Sequence, residues 1–211
     1  MIKIGIELNH VVRNINKQIL KYYKKDYDYS LNIEDIDEKD DAFKYAKFDS
    51  LTDKNEFIYI DYPYELYGCA KTMDKDLPMA LNNWLSELTN YEDDEVEVSF
   101  FSLNEEALTI QSSFFFLSKI GTRVRSVIFP KTIEEINGKY DVVIAGSKEI
   151  LDFFGNNNSV YTICISNIMN KDCKFNDRYD SLIEAIKDEN MLNVLHDFVN
   201  NKIKKVVTDG E

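Results

Sequence analysis

The chain opens on an apolar run that ends in polar residues, and this stretch constrains the fold more than any other. Residues 3–8, Lys-Ile-Gly-Ile-Glu-Leu, have the pattern of a buried β-strand. Glu7 and Asn9 lie two positions apart, so they point to the same side of an extended chain. In an open α/β sheet, ligands bind beyond the carboxyl ends of the strands. We therefore expect Glu7 and Asn9 to face a candidate site together.

Apolar runs alternate with helical patterns along the rest of the chain. This alternation predicts an α/β fold with a Rossmann-like parallel sheet of about five strands, joined by right-handed crossovers. The five predicted strands span residues 3–8, 96–102, 124–129, 141–145 and 160–165.

One long segment between the first and second predicted strands interrupts this alternation. Residues 26–93 are rich in acidic and aromatic side chains. They include a strand-like run at 57–60 and a helix that Pro78 opens, with apolar residues at helical spacing. Our interpretation is a small inserted cap module in 26–93, with 1–25 and 94–211 forming the α/β core.

Composition narrows the classes of function. The formal charge of −13 argues against a nucleic-acid partner and favours an acidic face for a basic protein. The sequence has no apolar run of transmembrane length and begins as a strand rather than a signal peptide, so we expect a cytoplasmic protein without membrane contact. Cys69, Cys164 and Cys173 lack metal-ligand spacing, which predicts reduced thiols.

The first strand and the order of polar residues behind it resemble the haloacid-dehalogenase-type (HAD) phosphohydrolases, and most closely the small nucleotidase-like members common in phages. That family begins with an apolar strand ending in Asp-x-Asp, often followed by Gly-Val. Here Glu7 and Asn9 hold the two Asp positions, and His10 holds the glycine position. The abundance of Asn, Lys, Asp, Ile and Tyr is also compatible with an AT-rich phage or host genome.

The resemblance implies a role for later residues as well. In the family, a Ser or Thr after the second strand and a Lys after the third hold the phosphoryl group, and acids after the fourth help to bind magnesium. Ser102 and Lys131 match the second and third of these positions. Ala145 and Gly146 stand where the acids would be.

These departures from the family pattern predict a vestigial site. The extra methylene of Glu7 moves the attacking oxygen by about an ångström, which can cost roughly 10²-fold in rate. Asn9 cannot exchange a proton and so removes a general acid worth about 10²–10⁴. Ala145 and Gly146 offer no metal ligand. We therefore expect no catalytic residue among Glu7, Asn9, Ser102 and Lys131, and no bound metal.

Three hypotheses for function stay open. The favoured one is a catalytically inactive HAD-like protein that acts as a structural or protein-interaction module, in a phage virion or a phage–host complex. The second is an active magnesium-dependent phosphatase or 5′-nucleotidase that uses Glu7, Ser102 and Lys131. The third is a protein that binds a phosphorylated ligand at Ser102 and Lys131 without turnover.

The predicted partners are other protein chains, and the cap is the predicted contact surface. Large aromatic side chains suit protein interfaces, and flanking acids can form a polar rim that steers a basic partner. The acidic runs are Asp35–Asp41 and Glu92–Glu95. The aromatic residues of this predicted surface are Tyr59, Tyr62, Tyr64, Tyr67 and Trp84.

Overall fold

Six parallel strands form the central sheet of the protein, in a computed structural model that describes residues 1–37, 39–89 and 96–208. The predicted α/β class, the single parallel sheet and all five predicted strands are confirmed. The sheet order is β5-β4-β1-β6-β7-β8. The strands are β1 (Ile2–Glu7), β4 (Val96–Phe101), β5 (Ser126–Ile128), β6 (Val142–Ala145), β7 (Tyr161–Ile165) and β8 (Asp177–Tyr179), and a separate antiparallel pair joins β2 (Arg13–Asn14) to β3 (Lys71–Thr72).

Helices cover both faces of the sheet, as parallel strands require. Each main helix follows a strand or a turn, and short 3₁₀ and π-helical turns connect several of them. The helices are α1 (Ile15–Asp26), α2 (Leu51–Glu56), α3 (Leu77–Thr89), α4 (Ala107–Ile120), α5 (Lys148–Phe154), α6 (Leu182–Lys187) and α7 (Glu189–Thr208).

Strand β1 is one of the two central strands of the sheet, and most side chains of β1 and of its neighbours β4 and β6 are buried. It pairs with β4 on one side and β6 on the other, so that Gly5 lies between Ser99 and Val143. Gly5 is required there for space, since a Cβ atom would lie 2.6 Å from the Tyr140 ring. Ile4, the residue before Gly5, points to the opposite face of the sheet and belongs to the larger hydrophobic cluster there.

The predicted cap range divides between two hydrophobic clusters. Helix α3, with Leu81 and Trp84, packs into the main cluster on the sheet. Helix α1, the turn at Tyr64–Gly68 and residues between them form a separate cluster that includes Tyr23, Phe57 and Leu66. Trp84 is therefore a buried residue of the main core and does not belong to an exposed aromatic surface.

The prediction of a strand-like run at residues 57–60 is wrong. Residues Phe57–Asp61 form a π-helical turn. A strand would place Ile58 and Ile60 on one face, but Ile58 is buried in the cap cluster while Ile60 is 66% exposed. Burial of adjacent Phe57 and Ile58 fits a helical turn, and the short apolar run alone does not distinguish the two structures.

Two features predicted from the sequence lie wholly or partly outside the described residues. The acidic run Glu92–Glu95 lies outside them, as does Glu38 within the run Asp35–Asp41. Across the described ranges, no helix combines the length and the apolar character needed to cross a membrane.

Candidate functional site

The candidate site lies where the direction of strand order reverses, between β1 and β6. Chain connections leave this point toward opposite edges of the sheet, which opens a crevice at the carboxyl ends of the two strands. Glu7 ends β1, and the loop Gly146–Ser147 follows β6. Glu7 and Asn9 therefore lie at the carboxyl end of β1, where the sequence pattern placed them.

The Glu7 carboxylate connects β1 to the loop after β6. Its Oε2 atom accepts hydrogen bonds from the backbone N–H groups of Gly146 at 2.8 Å and Ser147 at 2.9 Å. The Ser147 hydroxyl donates to the other carboxylate oxygen, Oε1. Both oxygens of Glu7 are therefore bonded within the protein, and the side chain is almost fully buried.

Burial raises the pKa of Glu7 above its ordinary value, and nearby His10 and the Ser147 and Gly146 hydrogen bonds offset only part of that effect. A raised folded-state pKa means that the folded protein holds this proton more tightly than the unfolded chain does. The stability contributed by this proton is fully present below the ordinary pKa and is lost as pH rises through the folded-state pKa.

Asn9 and Ser102, which match the first and second motif positions of the family, are in contact. The Asn9 Nδ2 atom donates to the Ser102 hydroxyl at 3.1 Å. The Asn9 Oδ1 atom accepts from Arg13, at 2.9 Å from Nε and 2.7 Å from Nη2. The side chain of Asn9 is thus held from both ends, and Ser102 is fully buried.

Arg13 is the residue that the sequence analysis missed, and it organises this end of the sheet. Its guanidinium forms an ion pair with Glu105 at 2.7 Å, and both side chains are fully buried. Ser113 completes the pair, because it accepts from Arg13 at 2.5 Å and donates to the second Glu105 oxygen at 2.6 Å. The guanidinium also lies 4.7 Å from the Tyr67 ring centroid.

Lys131 is exposed, and it contacts the same network. Its ammonium donates to the backbone carbonyl of Glu105 at 2.6 Å. This bond anchors the loop before α4 to the end of β5. Ser102 and Lys131 therefore both lie close to the Arg13–Glu105 pair, where they support the loop between β4 and α4.

Gly146, one of the two residues at the fourth motif position, has no room for an acid. His10 adopts a left-handed backbone with φ of 64°, the conformation that favours the glycine found there in the family pattern. Its backbone oxygen would lie 2.9 Å from a Cβ atom on Gly146, and its own Cβ would lie 3.0 Å away. The turn after β1 and the loop after β6 are therefore in close contact, and Gly146 permits that contact.

A cavity of about 350 Å³ lies beyond these residues, between the sheet and the cap turns. Its charged lining consists mainly of the carboxylates Glu7, Asp41 and Glu149 and the ammonium of Lys54. Lys54 already contacts the Phe43 ring at 3.6 Å. Neither Ser102 nor Lys131 is among the described residues that line this cavity. The balance of charge opposes a phosphate dianion.

The residues at this site do not fit magnesium. A hard cation needs several free oxygen ligands, but Glu7 accepts three hydrogen bonds and the Asn9 oxygen accepts two. Gly146 supplies no carboxylate. In the described part of the chain, no group of three His, Cys, Asp or Glu side chains is placed to hold a metal ion.

Comparison with known proteins adds no family to these observations. No protein-family model matches the chain, and no curated protein matches its sequence. The resemblance to HAD phosphohydrolases therefore rests on the order of motifs along the chain.

Proposed function

We propose that this protein is a catalytically inactive HAD-like module that serves as a structural or protein-interaction component. One observation carries the proposal: the polar atoms at the tip of β1 are bonded to other protein groups. Glu7 holds the loop after β6, and Asn9 joins Ser102 to Arg13. A nucleophile and a general acid need to reach the substrate, whereas these side chains hold the fold together.

The sheet order supports the HAD-like part of the proposal. Within the central sheet, β4 and β5 lie on one side of β1, and the last three strands, β6, β7 and β8, lie on the other. Many doubly wound folds share this order, so it supports the family only together with the positions of Glu7, Ser102 and Lys131. The phage setting stays a prediction from composition and resemblance.

The interaction surface we propose is centred on Tyr64. Tyr64 is 46% exposed, and its ring lies 5.2 Å from Phe115, which is 45% exposed. Tyr59 and Tyr62 are half-buried, and Tyr67 is buried against the Arg13 guanidinium. Exposed aromatic anchors can each contribute about 2 kcal/mol or more to an interface. A partner docked here is expected to lose affinity with Tyr64→Ala but to keep it with Lys131→Ala.

A hydrolysis assay tests the catalytic part of the proposal. With magnesium present, the protein is expected to release no phosphate from p-nitrophenyl phosphate or nucleoside monophosphates above the rate of a Glu7→Gln control. Glu7→Gln is a suitable control because its amide oxygen can still accept from Gly146 and Ser147, so the fold should persist. Magnesium-dependent turnover that disappears in Glu7→Gln would overturn the proposal.

A further inference from the structure

Strand β5 forms one edge of the central sheet. Among the described residues, β4 is its only strand partner. The Ile128 carbonyl accepts from the Ser102 N–H at 3.1 Å, so Ile128 and, two residues earlier, Ser126 direct their backbone groups toward β4. The backbone N–H and C=O of Val127 therefore point away from the sheet. Such groups are a template for an added strand.

Two hollows flank this edge, one on each face of the sheet. On the α4 face, Phe114, Leu117 and Val127 help to line an open groove of about 740 Å³. On the other face, Ile128 and Tyr140 help to line a hollow of about 320 Å³. Ser126 lines both. Since successive side chains of a strand point to opposite faces, a strand added here could place alternate side chains in the two hollows.

The groove on the α4 face has an exposed aromatic wall. Phe114 is 53% exposed although it lies in the middle of α4. Its ring makes an edge contact with Phe129 at 5.4 Å, so it stands beside the end of β5. A side chain that enters the groove would cover this ring.

Charge distinguishes this edge from the rest of the molecule. Residues 107–133 contain four cations and no acid, in a chain of formal charge −13. Lys119 donates to the backbone oxygens of Gly68 and Ala70, and burial lowers its pKa. Arg125 is exposed on the groove. This segment is positively charged, whereas the protein as a whole is acidic and repels anions. The four cations are Lys119, Arg123, Arg125 and Lys131.

We propose that the β5 edge is a docking site for an acidic, extended segment of another protein, which adds as a strand beside Val127. Main-chain hydrogen bonds to Val127 would give affinity, and carboxylates near Arg125 would give specificity. The proposal rests on the proposed role as an interaction module, but it uses a surface separate from Tyr64. Glu97 lines the hollow on the other face, so the acidic residues of the segment belong on the α4 face.

A second copy of this chain is a poor occupant of the site. A two-fold contact would bring the same surface patch of each copy together. Such a contact would gather the cations of both copies, Arg125 among them, at one interface, and like charges across an interface are unfavourable. The charge at this edge therefore selects a partner of opposite sign.

Labelled peptides of alternating valine with glutamate, and of alternating valine with lysine, test the proposal by fluorescence anisotropy. We expect the glutamate peptide to bind at least about tenfold more tightly, with affinity that falls as salt rises. Binding should slow hydrogen exchange at the Val127 amide. Arg125→Glu should weaken binding about tenfold or more, while Lys171→Glu, an exposed control far along the sequence, should leave it unchanged.

Val127→Pro provides the sharper variant, because it removes an N–H that points to the open edge and leaves the bonds of Ile128 to β4 intact. It should abolish binding of the glutamate peptide. Failure of that peptide to bind, equal binding of the lysine peptide, or unchanged binding to Val127→Pro would overturn the proposal. Loss of binding in Tyr64→Ala but not in Val127→Pro would move the contact to the cap, which contradicts this inference and leaves the proposed function standing.

Discussion

Arg13→Met is expected to destabilise the protein by about 3–5 kcal/mol, because it leaves the buried Glu105 carboxylate without its charged partner. Asn9 would also lose two donors to its side-chain oxygen, and Ser113 would lose its donor from the guanidinium. A buried group left unpaired costs its full desolvation penalty. Urea unfolding followed by tryptophan fluorescence measures the loss, since Trp84 lies in the main core.

Two variants control for loss of packing at this site. Arg13→Met combined with Glu105→Leu removes both charges, so it should recover much of the stability. Arg125→Met changes an exposed arginine on the same protein and should shift stability by no more than about 0.5 kcal/mol. If Arg13→Met itself costs less than about 1 kcal/mol, the Arg13–Glu105 pair does not hold this end of the sheet as described.

Gly146→Asp, which restores the acid of the HAD pattern, is expected to destabilise the protein by about 3 kcal/mol or more. The new Cβ would lie 2.9 Å from the His10 backbone oxygen, which is not the flexible end of a side chain. The new carboxylate would also be placed next to the Glu7 carboxylate, which the Gly146 amide now binds. Thermal unfolding at neutral pH measures the change.

Gly146→Ala separates the two causes, because it adds the Cβ atom without the charge. Overpacking alone costs about 1–3 kcal/mol, so Gly146→Ala should be less damaging than Gly146→Asp. A Gly146→Asp protein that is as stable as the parent and gains stability from magnesium would show that the site retains the capacity to hold a metal.

The sheet could be predicted from the sequence because buried parallel strands require continuous apolar runs. The run Val142–Ala145 is one, and all four of its side chains are buried. Strand β8 escaped prediction because Asp177-Arg178-Tyr179 is short, polar and at an edge. The stripe that carries Trp84 correctly predicted a helix, but an amphipathic stripe does not specify which surface it covers.

The sequence predicted those parts of the site that depend on one strand and on the order of strands, but not the contacts between distant residues. The end of β1 placed Glu7 and Asn9 in the crevice, and strand order brought Ser102 beside Asn9. Arg13 and Glu105 stand 92 positions apart, so one sequence contains no sign that they pair. The bonds from Glu7 to Gly146 and Ser147 span 139 and 140 positions, and this tertiary contact decides the role of the carboxylate.

The most direct test of the central claim is an NMR titration of the Glu7 side-chain carboxyl carbon with and without magnesium, with Glu7→Gln used to assign the signal. Because burial outweighs the hydrogen bonds from Ser147 and Gly146, the carboxyl should titrate above its ordinary pKa of 4.5, and magnesium should leave that titration unchanged. A carboxyl that titrates below 4.5 in the presence of magnesium would identify Glu7 as a metal ligand and contradict the account.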